Sequence, residues 1–349
     1  MKKYDLAVVI GRFQGCVHRG HLQLLKTAQE VAYRTLVCVG SSGIARSIKN
    51  PFTFEERESM IRTLEGSRDF PYQEDSYLNL TAIRDQPYND NVWVRRIQGA
   101  VQNTRVSSNV ALVGHKKDDS TYYLDMFPKW DYVPVETVYN GGNTLDATTI
   151  RDILFGQRSY PSVDLVPVNV LHWLEEWKAN HSQEFEALCE EYEYLKSYKA
   201  SWAKAPYPPT FVTTDAVVIC SGHILLVKRR MAPGKGLWAL PGGFLEQNIR
   251  VRENTIKELK EETRIKVTDP FLYSAIKLTK VYDHPNRSLR GRTVTHASLL
   301  NLGHGPLPHT RGGDDAERTK WVPIHDFIMD YGDKTFEDHH DIATDMIYS

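Results

Sequence analysis

Near the start of the chain, Leu6 to Ile10 is apolar at every position. A strand with one wet face alternates apolar and polar residues. A strand apolar on both faces must be covered twice, as in a parallel sheet flanked by helices. The following residues agree with that demand. Leu22, Leu25, Ala28 and Ala32 recur at helical spacing, and residues 35–40 form a second apolar run that ends in Gly40-Ser41-Ser42. Thr53, with Glu56 three positions later, carries the signature of a capping box and opens another helix. Residues 109–114 and 131–138 read as further strands, and 147–155 as a short helix. This alternation predicts an α/β fold: a doubly wound, Rossmann-like parallel sheet that takes its ligands at the carboxyl ends of the strands.

At 349 residues the chain exceeds one comfortable core, so two domains are expected. Residues 164–198 are rich in Glu and aromatics without a glycine and read as one or two amphipathic helices; Pro206, Pro208 and Pro209 then mark a stiff linker. From Phe211 the pattern restarts, with two strands joined at Ser221-Gly222, a helix over 251–263 and strands within 291–302 and 320–324. That half reads as α+β. The expected boundaries are 1–180, a helical and Pro-rich linker over 181–207, and 208–349. A net charge of −1 gives no electrostatic case for nucleic acid or an anionic membrane as a partner. The four cysteines lack any CxxC pair, which argues against a zinc site or a disulfide framework. The N-terminal apolar run is too short to span a bilayer, so a cytoplasmic protein is expected; assembly into a homo-oligomer stays open.

In residues 241–265, Glu258, Glu261 and Glu262 share one helix face at i, i+3 and i+4. Three carboxylates that close repel one another unless they are solvated or hold a hard divalent cation, here Mg²⁺ or Mn²⁺. Gly242 and Gly243 precede them and allow a tight loop to approach a ligand. The stretch resembles the Nudix box: Gly, five residues, Glu, seven residues, Arg-Glu, an aliphatic, any, Glu-Glu, any, Gly, an aliphatic. Gly243, Glu258, Leu259, Glu261, Glu262 and Ile265 match. Ile249 stands at the first Glu, Lys257 at the Arg and Arg264 at the late Gly. The first Glu and the Arg support the loop in that family. Lys257 is expected to meet Glu253 instead, four residues earlier on the helix. The resemblance covers about 208–345 and implies hydrolysis of a nucleoside diphosphate, with the three glutamates on metal and Gly242 and Gly243 near the substrate. Arg287, Arg290 and Arg292 follow in a short loop. A solvated loop and a substrate clamp, through Arg290 and Arg292, are equally open.

The run over 5–10 leads into Gly11-Arg12-Phe13-Gln14 and then His18-Arg19-Gly20-His21 at a helix start. Helix N-termini hold phosphates, histidines there can donate hydrogen bonds to them, and Gly20 permits close approach. The bland alternative is that the histidines cap the helix. The stretch resembles the His-x-Gly-His nucleotidyltransferases, and Gly-Arg-Phe-Gln narrows this to archaeal-type nicotinamide mononucleotide (NMN) adenylyltransferases. Residues 50–57, 112–118 and 145–154 resemble further signatures of that family. The resemblance implies catalytic roles for His18, His21 and Arg151. It implies ATP or NMN contacts for Gly11, Arg12, Phe13, Gln14, Gly20, Asn50, Trp93, Gly114, His115 and Thr148. Asp146 replaces a serine, where it either weakens the Arg151 contact or caps the helix. Gly15-Cys16-Val17 replace the Pro-Phe of relatives and lengthen the loop by one. A bulged loop is expected there, with His21 at the helix start and His18 facing the same pocket.

Together the two halves resemble the bifunctional NMN adenylyltransferase/ADP-ribose pyrophosphatase family almost end to end. That implies NAD and pyrophosphate from ATP and NMN in one domain, and AMP and ribose 5-phosphate from ADP-ribose in the other. Two alternatives stay open: a second domain that binds ADP-ribose or NAD without cleaving it, and a transferase for another phosphate substrate.

Overall fold

The computed structural model describes residues 2–71, 77–106, 109–116, 119–136, 139–140, 143–313 and 315–349, and the chain divides into two units, Met1–Tyr192 and Glu193–Ser349.

The first unit is built on β1 (Tyr4–Gly11), β2 (Ala32–Val39), β3 (Tyr77–Ala82), β4 (Val110–Gly114) and β5 (Asp131–Pro134), in the order β3-β2-β1-β4-β5. Every neighbouring pair is parallel. The central strand explains the apolar run, because Leu6, Ala7, Val8 and Val9 are all fully buried. Leu6 and Val8 join Leu36, Cys38, Leu112 and, from α3 (Asp90–Asn103), Ile97 and Val101 in one core cluster. Helix α1 (Arg19–Val31) buries Leu22, Leu25 and Ala28. Helix α2 (Phe54–Arg62) starts on the expected box: Thr53 Oγ1 accepts from the Glu56 N–H at 3.3 Å, and Glu56 Oε2 accepts from the Thr53 N–H at 2.7 Å. The chain leaves β1 for β2 on one side and returns as β4 on the other. The carboxyl end of β1 is therefore the topological switch point, where such sheets open a crevice.

Three local expectations need adjustment. The strand foreseen over 131–138 ends at Pro134, opposite the last residue of β4, with one further bond from the Val135 N–H to the Gly114 carbonyl; residues 137–138 lie outside the described residues. Helix α4 (Ala147–Arg151) continues as a π turn over Asp152–Gly156, whereas the helical stretch before the prolines is two helices, α5 (Val168–Asn180) and α6 (Ser182–Ser201), within the one or two expected. Strand β3 was not foreseen: it lies at the sheet edge and buries only Leu78. A short ladder of β6 (Tyr139–Asn140) with β7 (Asn143–Thr144) completes this unit.

The second unit is a seven-stranded mixed sheet of β8 (Thr210–Cys220), β9 (His223–Arg229), β10 (Trp238–Ala239), β11 (Gly242–Phe244), β12 (Ile276–Tyr282), β13 (Arg292–Asn301) and β14 (Ala316–Pro323). Only the β13–β8 pair is parallel among them. Strands β8 and β9 turn at Ser221-Gly222, as their sequence suggests. Helix α7 (Val251–Thr263) lays Ile256 and Leu259 on Ala216, Val218, Leu225 and Leu300. Each such aliphatic side chain, fully buried, contributes about 1.5–3 kcal/mol. Helices α8 (Asp269–Ala275), α9 (Ile324–Asp330) and α10 (His339–Ile347) complete the unit. No helix among the described residues is long and apolar enough to cross a membrane.

A buried polar layer lies beside the start of α10. Arg287 Nε and Nη2 donate to the two carboxylate oxygens of Asp338, both at 2.9 Å, with the side chains 3% and 7% exposed. Next to it His339 Nδ1 accepts from the Leu240 N–H at 3.0 Å. Burial pushes the His339 imidazole down to about 3; Arg287, Arg229 and Arg290 push the same way, against Asp338.

Two expected outcomes follow from these features. Arg264 ends α7 in the left-handed region, with φ 45° and ψ 35°, where the Nudix pattern has glycine. A side chain there costs about 1 kcal/mol. Arg264→Gly is expected to raise the thermal midpoint of the second unit by about 2–4 °C; a lowered midpoint in calorimetry would show that the arginine's contacts matter more than its backbone. The second outcome concerns acid. His339 binds its proton more weakly folded than unfolded, so the unfolded chain gains protons first as pH falls through about 6.5. Stability present above that pH is lost toward pH 3, by about 2 kcal/mol at pH 5. His339→Asn keeps an acceptor for Leu240 and does not titrate. Urea unfolding at pH 7 and pH 5 should show a smaller acid loss in the variant; equal losses would contradict the assignment.

Candidate active sites

The first site sits at the carboxyl ends of β1 and β4. Between β1 and α1 the chain makes a loop with positive φ at Phe13 (53°), Gly15 (98°) and Cys16 (153°). Gly15 is required twice over: by its φ, and because a Cβ would meet the Ala147 carbonyl oxygen at 2.9 Å. The longer loop folds inward, burying Cys16 and Val17 completely, and the Val17 N–H points to Met60 Sδ at 3.1 Å. Gln14 is buried, with its amide nitrogen donating to the Phe52 carbonyl and its amide oxygen accepting from the Phe52 N–H, both at 3.3 Å. Phe13 is buried and packs on His21 at 4.5 Å between centroids. In this structure, then, Gln14 and Phe13 shape the loop that carries the site.

His18 and His21 lie together, their rings stacked at 3.8 Å. They also cap α1, so the bland reading holds in part. His18 Nδ1 accepts from the Gly20 N–H at 3.2 Å, and His21 Nδ1 accepts from the His18 N–H at 3.4 Å. A neutral ring whose Nδ1 accepts keeps its proton on Nε2. Burial, and then repulsion from His18, holds the His21 pKa well below the usual histidine range, with the Cys16 carbonyl opposing in part.

Asp146 caps α4, accepting from the Thr149 N–H at 2.8 Å, and Arg151 Nη2 donates to Thr148 Oγ1 at 3.2 Å. Burial first, and then the Arg12 charge, lower the Arg151 pKa to about 10, against Asp146. A buried guanidinium with a second guanidinium charge acting on it marks a locus for an anion. The Asn50 Oδ1 atom is buried without a hydrogen-bond partner among the described residues. Gly11 and Gly114 end their strands at this edge, and His115 Nδ1 lies 3.1 Å from the Val135 carbonyl. Trp93 is half-buried and packs edge-on against Tyr123 and tilted against Phe127, which is the packing role usual for tryptophan. Lys117 and Asp118 of the 112–118 stretch lie outside the described residues.

The second site forms where β11 faces α7. A Cβ on Gly242 would meet the Thr214 carbonyl oxygen at 2.2 Å, and one on Gly243 would meet the Glu258 carboxylate at 2.6 Å. Glu262 Oε2 accepts from the Gly242 N–H at 3.0 Å. Burial first, and then the Glu258 charge, pushes the Glu262 carboxyl up to about 8, against that hydrogen bond. Glu258 and Glu262 thus crowd negative charge into a cradle kept open by glycine, a donor set that fits a hard divalent cation. Glu261 is not gathered with them: it pairs with Lys257 Nζ at 2.9 Å. Among the described residues no group of three or more His, Cys, Asp or Glu is arranged to hold a metal ion.

Lys257 does not meet Glu253. It donates to Glu246 at 2.6 Å and to Glu261, while the Glu253 carboxylate turns back to accept from the Arg250 N–H at 3.2 Å. Capping its own helix removes Glu253 from reach. The Lys257–Glu246 pair ties the loop to the helix, the task that the altered Glu and Arg of the Nudix pattern perform.

The three arginines of the 287–292 loop diverge. Arg287 is the buried partner of Asp338, and Arg292 pairs with Asp283 through its carbonyl and, at 3.9 Å, its carboxylate. Arg290 alone faces this site, with its guanidinium 4.9 Å over the Phe244 ring. Motif reading missed Arg229 and Asp215. Arg229, held by the Pro233 carbonyl at 2.9 Å, has its pKa lowered by burial and by Arg290, while Glu337 and Glu262 oppose. Asp215 is buried and its carboxyl is pushed up by that burial, with Arg287, Thr295, Arg290 and Arg229 pulling it down. Both residues end or line strands, where no local spacing sets them apart.

The family models match in the same order as the two units: cytidylyltransferase-like over residues 8–133 and NUDIX domain over 210–342. A nicotinamide/nicotinic acid mononucleotide adenylyltransferase of Acinetobacter baylyi is 36% identical over 156 residues, 44% of this chain and 78% of the relative. An ADP-ribose pyrophosphatase of Methanocaldococcus jannaschii is 32% identical over 136 residues, 39% of this chain and 72% of the relative. The crystal structure of a bifunctional NMN adenylyltransferase/ADP ribose pyrophosphatase from Francisella tularensis, complexed with AMP and a manganese ion, superposes with a TM-score of 0.90 at 34% identity, covering 99% of each chain. Similarity that runs through both units and both sites, at that identity and coverage, makes this chain a member of the bifunctional NMN adenylyltransferase/ADP-ribose pyrophosphatase family.

Proposed function

We propose that the chain is a bifunctional enzyme of NAD metabolism working in the cytoplasm on small molecules. The first unit joins NMN to the adenylyl group of ATP and releases pyrophosphate. The second hydrolyses ADP-ribose to AMP and ribose 5-phosphate. The carrying observation is the end-to-end likeness to a structure named for both activities.

In the first unit the work is positioning and charge stabilisation, with no covalent enzyme intermediate. ATP enters the crevice at the end of β1 with its phosphates toward the start of α1. His18 and His21 each use Nδ1 to accept a backbone N–H and so offer Nε2 to the phosphates, and burial keeps His21 neutral. Arg12 and Arg151 offset the charge that gathers on the departing pyrophosphate. Gly20 keeps the helix start open, and Thr148 orients Arg151. Asn50 offers its unpartnered amide oxygen to a substrate donor such as the nicotinamide carboxamide.

In the second unit Glu258 and Glu262 would hold Mg²⁺ or Mn²⁺, which on binding neutralises the diphosphate and activates the attacking water. Glu261, freed from Lys257, is the third candidate ligand. Arg290 and Arg229 supply positive charge for the substrate phosphates. Arg292 is held by Asp283 and stands back from this task. The non-cleaving alternative rests on the substitutions at 249, 257 and 264. The Lys257–Glu246 pair and the left-handed Arg264 favour hydrolysis, since both restore what the altered positions supply.

Two assays on the purified chain test this. With NMN and ATP it should form NAD, and His21→Ala should cut that rate by about 10²–10³-fold while ADP-ribose hydrolysis persists; equal loss of both activities would point to a folding defect. With ADP-ribose and Mg²⁺ it should release AMP, and Glu262→Gln should reduce the release by more than about 100-fold, beyond the effect of losing a merely supporting residue. AMP release that survives Glu262→Gln would sink the metal assignment.

A further inference from the structure

Arg57, on α2, heads the large side chains that are fully buried among the described residues; it ends the 50–57 stretch, and the proposed mechanism gives it no role. A guanidinium carries five N–H donors in a fixed plane, and here all five are engaged. Nε donates to the Thr53 carbonyl at 3.1 Å. Nη1 donates to the carbonyls of Arg12 and Gly40, both at 2.6 Å. Nη2 donates to the Ser41 carbonyl at 3.3 Å and to Ser42 Oγ at 3.2 Å. These acceptors belong to three separate segments: the exit of β1, the exit of β2 and the start of α2. The first of them borders the crevice at the switch point.

Burial lowers the Arg57 pKa to about 10, so the group is charged at neutral pH. No carboxylate among the described residues bonds it directly. Asp85 favours its charge from a distance while accepting the N–H and hydroxyl of Ser41, whose φ is 50°. A buried charge held by carbonyl dipoles is an expensive way to gain stability alone, since apolar packing would do as well. What it gives instead is a rigid relation between loops.

That relation bears on Arg12. Its side chain is exposed, and its charge acts on Arg151, so the two guanidinium groups repel. The 2.6 Å bond from Arg57 to the Arg12 carbonyl fixes the backbone from which that side chain starts.

We propose that Arg57 is a positioning residue for adenylyl transfer: by bonding the β1 and β2 exits at once, it holds Arg12 beside Arg151 where charge develops on the leaving pyrophosphate. The inference rests on the reading of the first unit as an NMN adenylyltransferase. A lysine has one ammonium and three donors and cannot span the same acceptors.

The test is Arg57→Lys in the full chain, with steady-state kinetics for ATP and NMN. The expected result is a fall in kcat of about 100-fold, the usual cost of a misplacement near 1 Å, with both KM values within about threefold. ADP-ribose hydrolysis should be unchanged. A kcat within about threefold of wild type overturns the proposal. So does a KM that rises as far as kcat falls, which is what general loosening of the unit would give. Should Arg57→Lys fail to fold, Ser42→Ala removes a single acceptor and keeps the other four; kcat should then fall about fivefold at constant KM, and an unchanged kcat is again a refutation. A wild-type chain that makes no NAD from NMN and ATP would instead overturn the assigned reaction.

Discussion

A guanidinium taken out of water needs an acceptor for every N–H, and each unit of this chain is arranged around one such demand. In the first unit Arg57 finds its acceptors only when the exits of β1 and β2 lie side by side with the start of α2. In the second unit Arg287 finds both oxygens of Asp338. That pair joins the 287–292 loop to the start of α10, where Glu337 also accepts from the Leu289 N–H at 2.9 Å. Removing either member would leave the other buried and uncompensated, which costs about 3–5 kcal/mol. The Arg12 backbone in the first unit and the Leu289 N–H in the second lie next to these buried anchors.

What the sequence made legible was whatever is local. The apolar run at Leu6–Ile10 announced a doubly covered strand because burial on both faces leaves no room for polar residues. The capping box at Thr53 and the turn at Ser221-Gly222 were readable for the same reason: their partners are at most a few residues away. Arg57 was not readable, because its acceptors at Arg12 and Gly40 are 45 and 17 residues distant. Nor was the split among Arg287, Arg290 and Arg292. Three arginines in one short loop look alike until Asp338, 51 residues on, claims the first. Edge strand β3 escaped because an edge needs only one buried face.

The departures from the Nudix pattern show substitution at the level of tasks. Lys257 reaches Glu246, so a cation on the helix still ties down the loop. Arg264 takes the left-handed conformation that the pattern reserves for glycine, and α7 still ends where it should. Glu261 is occupied by Lys257, so the carboxylate trio is a pair plus a reserve. Identity was lost at these positions while geometry was kept, which is why a motif count understates how much of the site is present.

The close approach at Gly243 carries an evolutionary corollary. The nearest atom to its missing side chain is the Glu258 carboxylate, 2.6 Å from where a Cβ would lie. One methyl group added there would intrude on the cradle, while Arg290 and Phe244 would keep their places. Gly15 is as exposed to a single carbon, against the Ala147 carbonyl. A single added carbon can therefore reach the cradle of one half, or the loop that carries the site of the other, so each activity has its own point of one-step loss.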